Sequence, residues 1–127
     1  MRSAGGQGRA STVKFDIRFR LRIRRGDTVA VGPGKIALLE AVGATGSIAA
    51  AARALDMSYR RAWMLIDDMN RSLREPVVST SAGGPRGGGA VLSASGEQVI
   101  ALYREVEAKA RRATAREIAA LSKLLNK

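Results

Sequence analysis

TGSIAAAARALDMSYRRAWMLIDDMNRSLRE, residues 45–75, reads as two helices with almost nothing between them. Ser47 can cap the free N–H groups of the first helix, which runs from Ile48 through Leu55 with no breaker inside. Asp56 and Met57 leave a minimal linker, and Ser58 offers a second cap. Beyond it Ala62, Ile66, Met69 and Leu73 recur at three- and four-residue spacing, so they share the buried face of a longer helix. Tyr59, Arg60 and Arg61 give that helix a basic, aromatic tip of the kind that enters a DNA major groove. The run of alanines from Ala49 to Ala52 lets neighbouring helices approach closely. Small-residue helix, tight turn and capped basic helix make a helix-turn-helix; the competing reading is an ordinary αα-hairpin with a solvated basic end.

Charge separates the two. The chain has 127 residues, with 22 Lys+Arg against 11 Asp+Glu and a net charge of +11, which suits one domain and a polyanionic partner. No apolar run approaches the roughly 20 residues that span a bilayer. Met1 to Ser11 is polar and Gly-rich, without the apolar stretch of a secretory signal, so a cytoplasmic location is expected. The absence of Cys and His excludes thiolate nucleophiles, disulfides, imidazole bases and the usual zinc ligands. Neither enzymatic activity nor a cofactor or metal is expected.

On the N-terminal side, residues 1–12 read as a flexible tail. Val13 to Arg24 alternates strictly between apolar and mostly basic residues and predicts a half-buried strand. Its arginines could lie along phosphates or rim a dimer, but protection of an exposed sheet edge is the simpler use. Arg25-Gly26-Asp27 supplies a turn, and Thr28 to Val31 returns as the second strand of a β-hairpin before Gly32-Pro33-Gly34. Lys35 to Val42 predicts a helix stopped by Gly43 and Gly46. On the C-terminal side, Pro76 ends the longer helix. Val77–Thr80, the glycine-dense Ser81–Gly89 and Ala90–Leu92 then predict strand, loop and strand: the wing of a winged helix-turn-helix, with Arg86 at its tip. A nucleotide-phosphate loop would need a following Lys and Ser/Thr, which are missing. Ser95-Gly96-Glu97-Gln98 matches a capping box opening one long helix, whose stripe of Val99, Tyr103, Val106, Ala110, Ala113, Leu121 and Leu125 suits a partner subunit.

The expected fold is α+β and mainly α: a winged helix-turn-helix with an N-terminal β-hairpin over 13–94 and a long C-terminal dimerisation helix over 95–127. A homodimer would set two recognition helices roughly 34 Å apart. The candidate DNA-binding residues are Ser47, Ser58, Tyr59, Arg60, Arg61 and Arg86. Arg60 and Arg61 lie roughly 100° apart around the helix, so one of them reaches base edges while the other meets the backbone. Trp63, beside Ala62 and Ile66, is assigned to the core, where its loss would cost about 3–5 kcal/mol. Asp67 and Asp68 point apart on a helix and are read as solvated or paired with arginines.

The residues Ser58-Tyr59-Arg60-Arg61-Ala62-Trp63, Met69-Asn70 and the wing Gly83-Gly84-Pro85-Arg86-Gly87-Gly88-Gly89-Ala90-Val91-Leu92 resemble the N-terminal DNA-binding domain of ModE-type molybdate-responsive transcriptional regulators, from about Phe19 to Arg104. LysR-type regulators share the fold but not this wing. The resemblance implies a dimeric winged helix-turn-helix that controls molybdenum uptake and cofactor genes. It also implies a C-terminal molybdate-binding module, for which nothing follows the long helix before Lys127, so no molybdate binding by this chain is expected. The wing also departs from the family pattern, with Pro85-Arg86 where a basic residue followed by glycine is usual. Two functions follow from different classes: a sequence-specific regulator binding double-stranded DNA, or an architectural or protein-interaction module that uses the same fold without reading sequence.

Overall fold

Pro33 opens the first helix instead of merely ending the hairpin. Its missing N–H costs nothing at the first helical position, and its fixed φ suits the turn. The computed structural model describes residues 13–81 and 88–126. In chain order the elements are β1 (Ile23–Arg25), β2 (Thr28–Val31), α1 (Pro33–Thr45), α2 (Ile48–Ala54), α3 (Tyr59–Ser72), β3 (Val78–Thr80), β4 (Ala90–Leu92), α4 (Ala94–Ala113) and α5 (Ala115–Ser122). They belong to two compact units, one within residues 20–107 and one made of residues 13–19 with residues 108–126.

Within Arg20–Glu107 the core is helical. Ile36, Leu38, Leu39 and Val42 of α1 are fully buried, joined by Ala51 of α2 and by Ala62 and Met69 of α3. The alanines of α2 let it pack against both α1 and α3. The predicted stop at Gly43 is not observed: α1 runs through it to Thr45, and Gly46, at φ 73°, is the left-handed cap. A Cβ on Gly43 would stand 2.8 Å from Leu92 Cδ1, so that glycine serves helix–strand approach. The turn from α2 into α3 places Asp56 at φ 58° and closes with Met57 N–H donating to Ala52 O at 2.9 Å. This is a Schellman-type stop with aspartate where glycine is usual.

The long N-terminal strand is not formed. Ile23–Arg25 alone pairs with Thr28–Val31, antiparallel and with a register shift between Ile23 and Arg24, while residues 13–22 lie in no strand. Alternation creates a face, but a ladder also needs a partner, and β2 is only four residues long. Leu21 O instead accepts a hydrogen bond from the Tyr103 hydroxyl at 2.8 Å.

The wing is present as β3 paired antiparallel with β4, Val78 opposite Leu92 and Thr80 opposite Ala90. The helix after it is capped two residues earlier than the capping box implies. Ser93 Oγ accepts from Gly96 N at 3.0 Å and donates to Pro76 O at 2.6 Å, while Ser95 Oγ donates to Glu75 Oε1 at 3.2 Å. Gly96 explains the shift, since a Cβ there would sit 2.2 Å from Val77 O and the helix start is pressed onto that backbone.

In the second unit the single long helix becomes two. Thr114 interrupts it at φ −113°, and its Oγ1 donates to Ala110 O at 2.7 Å, a back-bond that bends helices. The Arg111 guanidinium lies over the Phe19 ring at 5.4 Å, and Arg18 pairs with Asp16 at 2.6 Å. No side chain of α5 is buried, and Leu124 beyond it is 80% exposed.

Candidate nucleic-acid interface

Serine caps open both helices of the helix-turn-helix, Ser47 at α2 and Ser58 at α3. Ser47 Oγ accepts from Ala50 N and Ser58 Oγ from Arg61 N, each at 3.0 Å, so both hydroxyls already satisfy helix N-termini. A hydroxyl used in this way keeps its own proton to donate. Ala62, Ile66 and Met69 turn one side of α3 inward. At ~100° per residue the direction opposite that stripe belongs to Arg60 and Met64, and both are exposed.

Trp63 departs from the core assignment. It is 49% exposed, and Tyr59, one turn before it, is 57% exposed. The two aromatic rings and Arg60 line one shallow surface depression. A second cleft, of about 370 Å³, runs from Tyr59 and Trp63 past Ser47 and Ala49 to Thr80 and Gly89 of the wing. Trp63 lies roughly 100° from Ala62, enough to leave the buried stripe. Its four-residue spacing from Tyr59, the signal that could have found it, marks a shared exposed face.

Asn70 ties this face to the wing. Its Oδ1 accepts from Val77 N at 2.8 Å and its Nδ2 donates to Val78 O at 3.4 Å, fixing how β3 leaves α3. Ala90 N donates to Gly46 O at 2.9 Å, which anchors the other wing strand to the end of α1. Asp67 pairs with Arg71 at 3.2 Å, and Asp68 with Lys35 at 3.6 Å. Among the described residues no group of His, Cys, Asp and Glu could hold a metal ion. Lys35 was not singled out by sequence: it is buried, and its Nζ also donates to Val29 O.

Of the candidate contacts, Ser47, Ser58, Tyr59, Arg60 and Arg61 all lie at the helix-turn-helix, but not on one face. Tyr59 and Arg60 share the aromatic depression, whereas Arg61 lines a separate cleft of about 510 Å³ with Arg20, Arg22 and the hairpin turn. Arg86 lies outside the described residues. No helix of the described residues is long and apolar enough to cross a membrane.

A helix-turn-helix with a two-stranded wing is the architecture of LysR-type DNA-binding domains. The chain superposes on the DNA-bound CbnR DNA-binding domain with a TM-score of 0.53, at 24% identity, covering 69% of this chain and 95% of that one. Full-length LysG from Corynebacterium glutamicum with bound Arg gives a TM-score of 0.54 at 18% identity, over 74% of this chain and 30% of that one. These likenesses establish the fold. No protein-family model matches the chain. In sequence it is 50% identical over 78 residues to the molybdenum-pterin-binding protein MopB of Rhodobacter capsulatus and 44% identical over 78 residues to the molybdenum transport protein ModE of Azotobacter vinelandii, matches that cover 61% of this chain. The DNA-binding transcriptional dual regulator ModE of Escherichia coli K12 is 39% identical over 71 residues, 56% of this chain. The chain thus carries a ModE-like helix-turn-helix, and it spans under a third of these relatives, 29% of the first two and 27% of the third.

Proposed function

We propose that this protein binds double-stranded DNA in a sequence-specific way through α3 and regulates transcription of molybdenum-related genes. The observation that carries the reading is the face of α3 itself: Tyr59, Arg60, Trp63 and Met64 are exposed on a helix whose opposite side is locked into the core. A soluble domain gains nothing from leaving two large aromatics half in water unless something covers them. The kinship to proteins named for molybdenum transport and for DNA-binding regulation supports both the partner and the genes.

Arg60, opposite the buried stripe, is the residue that reaches guanine edges, and Tyr59 and Trp63 supply apolar contact to bases or sugars beside it. Ser47 and Ser58 donate to phosphates, and Arg61 meets the backbone. Replacing Arg60 and Arg61 together with Ala should remove discrimination between duplexes enriched from genomic DNA and random duplex, with circular dichroism unchanged. Preserved discrimination in that folded variant would make the protein an architectural binder.

The functional unit is a homodimer. Ile23, Leu102 and Val106 leave an apolar surface beside Tyr103, and Leu121, Leu124 and Leu125 another. Each suits a second copy of the chain. Sedimentation of the intact protein should give twice the chain mass at micromolar concentration, and a monomer would refute this.

A further inference from the structure

The cleft between the hairpin and α3 lies apart from the aromatic face of α3 and shares only Arg61 with the contacts proposed above. It is lined by Arg20 and Arg22 ahead of β1, by Asp27 and Thr28 of the turn, and by Lys35, Arg61 and Asp68. Four cations face two carboxylates there, and the cations are not equally engaged. Lys35 is buried and occupied by Asp68 and by Val29 O. Arg20, Arg22 and Arg61 are exposed, and none of them enters an ion pair among the described residues. Arg20 and Arg22 both line the cleft from the segment just ahead of β1.

The position of this cleft around α3 gives it a meaning. Tyr59, Trp63 and Asn70 mark the wing side of the helix. Arg61, Leu65 and Asp68 mark the hairpin side, roughly 180° away at ~100° per residue. A helix inserted in a B-DNA major groove roughly 12 Å wide has a phosphate backbone along each flank. The wing lies toward one of those backbones. We infer that the hairpin cleft grips the other one, with Arg20, Arg22 and Arg61 neutralising successive phosphates across the major groove from the wing. The inference rests on the DNA-binding reading above and adds to it a second, sequence-independent clamp. The arginine ladder ahead of β1, with no strand to protect, then has a use that edge protection does not supply.

The test is the salt dependence of binding of the 127-residue chain to a labelled random-sequence duplex of about 30 base pairs, repeated on a duplex enriched from genomic DNA. Each neutralised phosphate contributes about 0.9 to the slope of log K against log salt, so Arg20→Ala/Arg22→Ala should flatten it by about 1.8 on both duplexes alike. Between 50 and 200 mM salt the unaltered protein would then lose about twelvefold more affinity than the variant. Arg20→Lys/Arg22→Lys keeps the charges and should restore the slope. An unchanged slope in a folded alanine variant overturns the clamp, as does a flattened slope accompanied by a changed mass in sedimentation, which would assign these arginines to self-association. Failure of the unaltered protein to bind either duplex at low salt would sink the DNA-binding reading itself, an outcome distinct from both.

Discussion

Trp63 shows how much depends on a single step around a helix. Its neighbour Ala62 is fully buried, yet the indole is half exposed because one residue along α3 is roughly 100° of rotation. The energetic expectation changes with it. A fully buried aromatic costs about 3–5 kcal/mol on truncation, so at half burial Trp63→Ala should cost about 2 kcal/mol or less by chemical denaturation. The larger effect should fall on duplex affinity, read by fluorescence anisotropy with the variant still folded. A stability loss of about 4 kcal/mol with affinity untouched would return Trp63 to the core. Gly96 is the converse case. Alanine is the better helix former by about 1 kcal/mol, yet a Cβ at Gly96 would meet the Val77 carbonyl at 2.2 Å.

Helix starts are decided by what their first turn packs against. Ser95-x-x-Gln98 has the sequence form of a capping box, but Ser93 holds the position because its hydroxyl bonds both Gly96 N–H and the Pro76 carbonyl. The consequence is a paired prediction. Ser93→Ala should lower stability by about 1–2 kcal/mol, the usual loss of a working cap, whereas Ser95→Ala should change it by less than about 0.5 kcal/mol. Thermal unfolding of the two variants distinguishes them, and equal effects would show that Ser93 is not the cap. The same logic explains why the helix after the wing divides at Thr114, where a side-chain bond to Ala110 O competes with continued helix.

Across the Arg20–Glu107 unit, α1 and α4 are joined by an ion pair. Arg104 donates to both carboxylate oxygens of Glu40 at 2.9 and 2.6 Å and to Glu107 at 2.7 Å. Hydrogen bonding by Arg104 holds the Glu40 carboxyl below its ordinary value of 4.5, against an opposing push from burial, and the two glutamates raise the affinity of Arg104 for its proton. Burial, reinforced by the charge of Glu107, pushes the Tyr103 hydroxyl up. Because the folded value of Glu40 is depressed, its stabilising contribution is fully present above the unfolded value and is lost as pH falls through the folded one. Stability measured by urea unfolding should therefore decline below about pH 4.5 less steeply in Glu40→Gln than in the unaltered protein. Both partners are well exposed, which screens the pair and keeps the difference small. Identical acid limbs in the two proteins would show the pair contributes nothing.

The helix-turn-helix was legible in residues 45–75 because its signals are local. Ser47 and Ser58 cap the turns that follow them, and the spacing of Ala62, Ile66 and Met69 needs only the helical period to define a face. The wing strands were legible for the same reason, bracketed by Pro76 and by glycines. What the sequence could not decide were the features that depend on a distant partner. Val13 to Arg24 has the alternation of a long strand, but pairing stops at Ile23 because β2 offers so little backbone. Gly43 looked like a stop until Leu92 supplied the side chain it accommodates, and Lys35 is buried because Asp68 and the Val29 carbonyl converge on it from elsewhere in the fold. The division of Arg60 and Arg61 between an aromatic face and a hairpin cleft is likewise tertiary. Adjacent positions have the same composition and charge, and only the elements packed on either side of α3 tell them apart.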